Sequence, residues 1–450
     1  MNISYSNAKT YIAQLKGIEQ QIAQNQLQEA AQNLNLLVQT NSNDPRLYLL
    51  GLRLAAMARN PTGMLVAARR AHQLAPDWAI ATISLAEVLA SQGEVEEAIL
   101  MAEKALRQAA VQTAQVSHRV EVLTKAAALA QRVGLRQRAL QWLQEAEEIN
   151  PDDLSIRHEI GRALADLGDT VQAIDSFNGL LRKLPNNSSL LYDRMRISLD
   201  AQLHEQAIQD GETLLALEPG NEVYKFYLDV ARGLTPATQP AAVIADLFDA
   251  DTARSDQQLM ARLQYTLPQE VSQMILRWHP GRKVDVLDLG CGTGALGACL
   301  GSVDGALIGV DLSQHMLDRA VSHHVYDRLH NVNLVDALRD TPSEHYDVIT
   351  ALDVFIYVGD LGSVIPNAYR VLAPGGRFVF SCEEDAGAAG QPDFTLQRSY
   401  RYTHQRSYVL RLLEDAGYQE LDIDDRVLRQ EKGQAVHGFL VSARKEPPKA

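Results

Sequence analysis

Cysteine is scarce in this chain of 450 residues. Only Cys291, Cys299 and Cys382 occur, all in the C-terminal half, and no C-x-x-C pair is present. That pattern indicates neither a disulfide framework nor a thiolate zinc site, and it fits a reducing, cytoplasmic setting. Long apolar runs are missing too: none approaches the ~20 residues that a bilayer-spanning helix needs. The opening residues, MNISYSNAK, lack the basic start and apolar core of a secretory signal. The expectation is a soluble protein with no membrane association. There is also no basic stripe. The net charge of −14 is spread over both halves, with Lys and Arg interleaved among Asp and Glu. Binding nucleic acid through its phosphates would need a concentrated cationic face, so no nucleic acid partner is expected.

What is present divides the chain in two. Residues 1–233 carry alanine and leucine at helical spacing and no strand signals. Pro151, Pro185 and Pro219 recur 34 residues apart. Gly134 and Gly168 keep the same step, as do Ala139, Ala173 and Ala207. Small residues let two antiparallel helices pack closely, and the proline marks the turn into the next unit. Upstream, Gly93, Ala98 and Ala105 precede Gly134, Ala139 and Ala146 by 41 residues, so seven extra residues lengthen a helix or loop near Val111–His118. Pro45 and Pro76 mark earlier units. About six helix pairs are predicted, the first poorly matched. The pattern resembles the tetratricopeptide repeat. Repeats of this kind usually bind protein, so a groove for a peptide or protein is one expected use. A scaffold packed on the enzyme, or on a second copy as a homodimer, is the other. Arg157, Arg162, Arg194 and Arg196 lie on first helices and are candidates for such a groove.

Residues 234–244 contain LTPATQP and read as a linker. The second domain then spans 245–450, and its most informative stretch is VDVLDLGCGTGALG, Val284–Gly297. An apolar run reads as a buried parallel strand and Thr293–Leu300 as the following helix. Alternate glycines, Gly290, Gly292 and Gly294, let the backbone turn sharply and approach a ligand. The helix N-terminus offers free N–H groups. A second apolar strand, Ala306–Val310, ends in Asp311, whose carboxylate can accept both hydroxyls of a ribose. GTGALG also fits the dinucleotide pattern G-x-G-x-x-G, so these two features fix an adenosine ligand without choosing the cofactor.

The remaining motifs make that choice by resemblance. DLGCGTG resembles motif I of the class I S-adenosylmethionine-dependent methyltransferases, and GVDLSQHML, Gly309–Leu317, resembles their second motif. VDAL, Val335–Leu338, resembles the tip of the third strand. YDVITALDVFIYVGDL, Tyr346–Leu361, and VLAPGGRFVFS, Val371–Ser381, resemble the later elements in the same order. The resemblance covers about 240–445. It implies an α + α/β multidomain protein: an N-terminal helical repeat solenoid, then a Rossmann-like domain closed by a C-terminal antiparallel hairpin over Glu420–Lys445. It also implies S-adenosylmethionine as cofactor, held by Asp288, Gly290, Cys291, Gly292, Gly294, Asp311, Leu312, Met316, Asp336 and Ala337. In this resemblance Asp311 binds ribose, Leu312 or Met316 lies along the adenine, and Asp336 meets the adenine amino group.

Methyl transfer from a sulfonium needs the nucleophile held ~3 Å from the methyl carbon, in line and freed of water. Ligands of this fold sit beyond the carboxyl ends of the strands. Candidates for the acceptor side therefore come from Asp353–Tyr357, from Glu383 and Glu384, and from the insertion Asp385–Phe394. Some related enzymes, including repeat-bearing ones, carry an Arg-Tyr-x-His sequence, matched here by Arg401, Tyr402 and His404. The catalytic candidates are His404, Tyr402, Asp353 and Tyr357. Each has a plainer alternative as a helix cap, a core aromatic or a strand-end acceptor. Phe248 and Asp249 resemble a lid that covers the cofactor, although Ser255 stands where an aromatic is common. No Asn-Pro-Pro-Tyr loop follows strand four, which argues against amide-nitrogen methylation of that type. The expected function is methyl transfer to a peptide or protein recruited by the repeats. Alternatives are a free small metabolite as acceptor, or a non-catalytic binding scaffold.

Overall fold

The computed structural model describes residues 5–58, 60–111, 116–244, 265–384, 392–431 and 433–447. The chain divides into two compact units, 1–202 and 203–450. The first unit is helical. Helices α1 to α11 span Tyr5–Ala23, Leu27–Thr40, Pro45–Met57, Pro61–Leu74, Ala79–Ser91, Val95–Val111, Val116–Arg132, Arg136–Ile149, Leu154–Asp166, Thr170–Lys183 and Ser188–Asp200.

Local chemistry explains where these helices begin and how they pair. Asp153, Asp169 and Asn187 cap α9, α10 and α11 by accepting backbone N–H bonds. On α6, Ala98, Ala102, Ala105 and Ala109 are all buried, a small-residue stripe against which α5 packs. Gly161 on α9 faces Phe177 on α10 so closely that a Cβ there would lie 2.9 Å from the ring. The irregular step of 41 residues also resolves in helix lengths. Helices α6 and α7 have 17 residues each, whereas α8 and α10 have 14 and α9 has 13. The insertion extends two successive helices by about one turn each, so the pairing phase is kept.

The second unit begins with α12 (His204–Leu217) and α13 (Glu222–Ala231). After them comes a helix over Leu267–Trp278, which buries Val271 and Ile275 as its 3.6-residue period predicts. A seven-stranded sheet follows in the order β3-β2-β1-β4-β5-β9-β8. The strands are β1 (Val286–Leu289), β2 (Leu307–Asp311), β3 (Arg328–Asn331), β4 (Tyr346–Ala351), β5 (Leu372–Glu383), β8 (Gln419–Glu431) and β9 (Gln434–Arg444). The first five run parallel, while β9 is antiparallel to both β5 and β8. All four residues of β1 are buried, as expected of a central strand covered on both faces. The C-terminal hairpin is β8 and β9. A small second sheet pairs β6 (Phe394–Leu396) with β7 (Tyr402–His404).

Candidate active site

Strand β1 has β2 on one side and β4 on the other, so the chain order reverses between them. At such a switch point the loops leaving the two strands diverge and open a crevice beyond their carboxyl ends. A cavity of about 1090 Å³ lies there. Its lining includes Asp288, Gly290–Thr293, Asp311, Leu312, Met316, Asn333 and Leu334, from the ends of β1 and β2 and the loops and helix starts after β1, β2 and β3. It also includes Thr238, Tyr265, Asp353, Tyr357, Ser399, Arg401, Arg429 and Glu431.

The glycine loop is shaped by what surrounds it. Gly290 has φ +66°, and a Cβ on it would strike Val354 at 2.4 Å. Gly292, with φ +54°, has nothing within 4 Å of its absent Cβ, so this backbone faces open space. Its N–H donates to Asp311 Oδ2 at 2.9 Å, and the Ser313 N–H donates to Oδ1 at 2.8 Å. Burial raises the Asp311 pKa, and these backbone donors oppose that rise. Each carboxylate oxygen retains acceptor capacity for a further bond. The open space at Gly292 beside an anchored, buried carboxylate fits a sugar hydroxyl pair.

Asp288 takes a different place. Tyr326 donates to its Oδ2 at 2.7 Å and Thr350 to its Oδ1 at 2.8 Å. Burial pushes its pKa up to about 6. Gly297 supplies the room for this arrangement: a Cβ there would lie 2.4 Å from the Tyr326 ring. The Gly297 N–H donates to the Tyr326 hydroxyl at 3.2 Å. The third glycine of GTGALG therefore makes space for a tyrosine that braces Asp288. Cys291 lines the cavity but burial pushes its pKa well up, so it stays a thiol.

Three cofactor candidates, Gly294, Asp336 and Ala337, are not among the residues lining the cavity. Gly294 (φ +85°) caps the Ala295–Leu300 helix, and a Cβ on it would meet Tyr326 and Ala320. Asp336 and Ala337 lie inside the Leu334–Asp340 helix, and Asp336 pairs with Arg339 at 2.6 Å. The cavity is reached instead by Asn333 and Leu334, where that helix begins. Asn333 caps the helix by accepting the Val335 N–H at 2.8 Å.

After β4, Asp353 and Tyr357 are on the cavity wall. Asp353 sits just past β4 with φ +57°, an uncommon backbone conformation for a residue with a side chain. Its N–H donates to Ser381 Oγ at 2.8 Å. Arg429, from β8, is 2% exposed and forms ion pairs with both Asp353 and Glu383. Burial raises the Asp353 pKa and the guanidinium lowers it, the former dominating. Arg401 pairs with Glu431 at 2.6 Å beside them. The Tyr357 phenol is pushed up to about 12 by burial, so it is neutral at ordinary pH.

His404 and Tyr402 are not among the residues lining the cavity. Both have zero exposure. His404 Nε2 lies 2.9 Å from the Val358 carbonyl and 3.0 Å from the Gly359 carbonyl. Tyr402 donates its hydroxyl to the Pro236 carbonyl at 2.8 Å. Burial lowers the His404 pKa to about 4. Residues the sequence reading missed are Tyr326, Asn333, Arg429 and Thr238. Nothing in a one-dimensional pattern marks an arginine of a hairpin strand as the partner of an aspartate 76 positions earlier. Phe248, Asp249 and Ser255 lie outside the described residues, as do residues 385–391 of the expected insertion. Among the described residues no cluster of metal-ligating side chains occurs, and no helix is long and apolar enough to cross a membrane.

In the first unit a groove of about 670 Å³ runs along first helices of the pairs, with Trp78, Arg53, Lys125 and Glu87 among its lining residues. The four arginines singled out from sequence lie elsewhere. Arg157 pairs with Glu147, Arg162 with Glu159 and Asp193, Arg194 bonds Asn178, and Arg196 lies over Tyr192.

Residues 287–378 match a protein family described as "Methyltransferase domain". That stretch runs from β1 into β5. The chain is similar to phosphoethanolamine N-methyltransferase 3 of Arabidopsis thaliana, 28% identical over 158 residues, or 34% of this chain and 32% of that protein. It is also similar to the ubiquinone biosynthesis O-methyltransferase of Pseudomonas entomophila (strain L48), 34% identical over 104 residues, or 22% of this chain and 44% of that one. The chain spans between about a third and a half of the length of such curated relatives. Among solved structures, the 1,6-didemethyltoxoflavin-N1-methyltransferase of Burkholderia thailandensis is 20% identical with a TM-score of 0.36, covering 47% of this chain and 92% of that one. YrrB, a tetratricopeptide repeat protein with an unusual peptide-binding site, is 20% identical with a TM-score of 0.34, covering 45% and 98%.

Proposed function

We propose that this chain, which belongs through its second unit to the S-adenosylmethionine-dependent methyltransferases, transfers the sulfonium methyl group to an acceptor held in the Asp353–Tyr357 end of the cavity. The observation that carries the reading is the pairing of open backbone at Gly292 with the buried Asp311 carboxylate fixed by two N–H donors. Bound S-adenosylmethionine supplies a methyl group on a positively charged sulfur that is already a good leaving group. The chain's own residues then have to bind, orient and exclude water. Asp311 holds the ribose hydroxyls. Leu312 and Met316 supply apolar surface for the adenine, and Asn333 takes the place expected of Asp336. Gly290 and Gly292 let the backbone close on the ligand.

At the acceptor end Asp353 is held by Arg429 and faces the cavity, so it orients a polar acceptor or takes its proton. Tyr357 remains a neutral phenol and can only donate or accept a hydrogen bond. His404, whose Nε2 is engaged by two backbone carbonyls, is assigned no proton transfer. The acceptor is a peptide or protein recruited by the repeat helices, supported by the groove along first helices of the first unit. A second reading, a free small molecule, is supported by the acceptors named in the curated relatives.

Calorimetry with S-adenosylmethionine and S-adenosylhomocysteine tests the reading on the full-length chain. Binding of both is expected. Asp311→Ala should weaken it by about tenfold to a hundredfold, since a hydrogen bond to a charged group is worth ~1.5–3 kcal/mol. No heat from either ligand on folded protein would reject methyl transfer, and an unchanged affinity in Asp311→Ala would refute the ribose assignment.

A further inference from the structure

The segment read as a linker is hydrogen-bonded into the cavity's acceptor end. The Gln239 N–H donates to the Tyr357 carbonyl at 3.1 Å, and the Gly359 and Asp360 N–H groups both donate to the Ala237 carbonyl at 2.9 Å. Thr238 and Val358 form an antiparallel bridge, and the Thr238 hydroxyl lies 3.3 Å from the Tyr357 carbonyl. Residues 237–239 thus act as a short strand added to the loop after β4. The loop is gripped from its other side by the β6–β7 hairpin. His404 shares one N–H between the Val358 and Gly359 carbonyls. Gly359 packs so tightly that a Cβ would lie 2.6 Å from both the Phe394 and Tyr402 rings. Hairpin and strap are also tied to each other, by Tyr402 to the Pro236 carbonyl and by the Gln239 side chain to the Tyr400 carbonyl. From α13, Tyr227 meets the Tyr400 ring edge-on at 5.5 Å. Thr238 itself is on the cavity wall, and Gln239 is 2% exposed.

We infer that Thr238, Gln239 and His404 are positioning residues for Tyr357 and the acceptor wall: the strap and the buried imidazole clamp the loop from two sides. The inference rests on reading this end of the cavity as the acceptor side. The strap lies outside the stretch 287–378 that matches the methyltransferase domain, so the acceptor wall is set by residues that the domain alone does not supply. His404 does this work as a neutral donor, because its second nitrogen, Nδ1, is buried without a partner among the described residues. The buried carbonyls of Val358 and Gly359 need a donor, and a loop with unsatisfied carbonyls would not hold one geometry.

Hydrogen exchange and fluorine resonance on the full-length chain test this, with S-adenosylhomocysteine as the ligand probe. Gln239→Ala and Tyr402→Phe should speed amide exchange in the 355–361 peptide by about tenfold or more. Exchange in the 287–297 peptide and the affinity for S-adenosylhomocysteine should stay within about twofold. With fluorotyrosine at position 357, Thr238→Val should shift the resonance, whereas Thr238→Ser, which keeps the hydroxyl, should restore it. Unchanged exchange at 355–361 in both variants overturns the inference. So does an equal rise in every peptide, which would mean general loosening. If wild-type protein fails to bind S-adenosylhomocysteine, the methyl-transfer reading falls, and the exchange and resonance data alone decide the clamp.

Discussion

Asp288 and His404 are buried titratable groups on which burial acts with opposite sign. Burial disfavours whichever form is charged. Asp288 is therefore pushed up to about 6, and His404 down to about 4. Between roughly pH 4 and 6 the folded chain keeps a proton on Asp288 that the unfolded chain has released, so this group's contribution to stability falls as pH rises. Between roughly pH 6.5 and 4 the unfolded chain takes up a proton on His404 that the folded chain refuses, so that contribution is lost as pH falls. The two slopes oppose each other. Relative to wild type, Asp288→Asn should make the unfolding free energy climb more steeply with pH across this window. His404→Gln, which keeps a donor for the two carbonyls, should make it climb less. Urea midpoints at several pH values measure both differences, and shifts of the same sign in the two variants would contradict the assignment.

At the scale of elements, the repeat pairs depend on side-chain size where helices touch. Gly161 in the middle of α9 has a helix-propensity cost of ~1 kcal/mol relative to alanine. Its reason is across the interface, where Phe177 has no exposed surface. A Cβ 2.9 Å from that ring must displace it within a packed core, and overpacking costs ~1–3 kcal/mol. Gly161→Ala should therefore lower stability by about 1 kcal/mol despite the better helix former, with Gly161→Val lower still. Denaturant unfolding checks the order, and an unchanged or raised midpoint in Gly161→Ala would show that the pair has slack. The same period that places Gly161 and Phe177 also explains why two successive helices lengthen together: a change of one turn in only one of them would put the next pair out of phase.

For the whole molecule, the division at residues 202 and 203 leaves α12, α13 and the strap in the unit that holds the cavity. A chain beginning at Leu203 should keep its affinity for S-adenosylhomocysteine within about twofold and unfold in one transition. One beginning at Ala241 loses the carbonyl and N–H partners of Tyr357–Asp360 and should unfold at lower temperature. Calorimetry and thermal unfolding of the two fragments measure this, and equal melting temperatures would mean that the strap contributes nothing to the fold. If the repeats recruit a peptide or protein acceptor, the fragment from Leu203 keeps cofactor binding while losing turnover on that acceptor.

Much of this was legible in the chain alone. The period of 34, the strand that ends in three alternate glycines and the acid at the tip of the next strand are local signals, because a repeat, a turn and a strand end each demand particular residues at fixed spacing. They determined the two-part architecture and an adenosine-bearing ligand, and the later motifs chose S-adenosylmethionine by resemblance. They also led to Asp353 and Tyr357, whose place at the end of β4 follows from strand order. Only the tertiary structure decided which distant side chains converge. It brought Arg429 from the hairpin to Asp353 and set Tyr326 beneath Asp288. It placed Asp336 inside a helix that begins at Leu334, and it buried Tyr402 and His404 against the loop after β4. These outcomes depend on packing between segments up to 166 residues apart, and no period or motif along a chain records which buried carbonyl a histidine will reach.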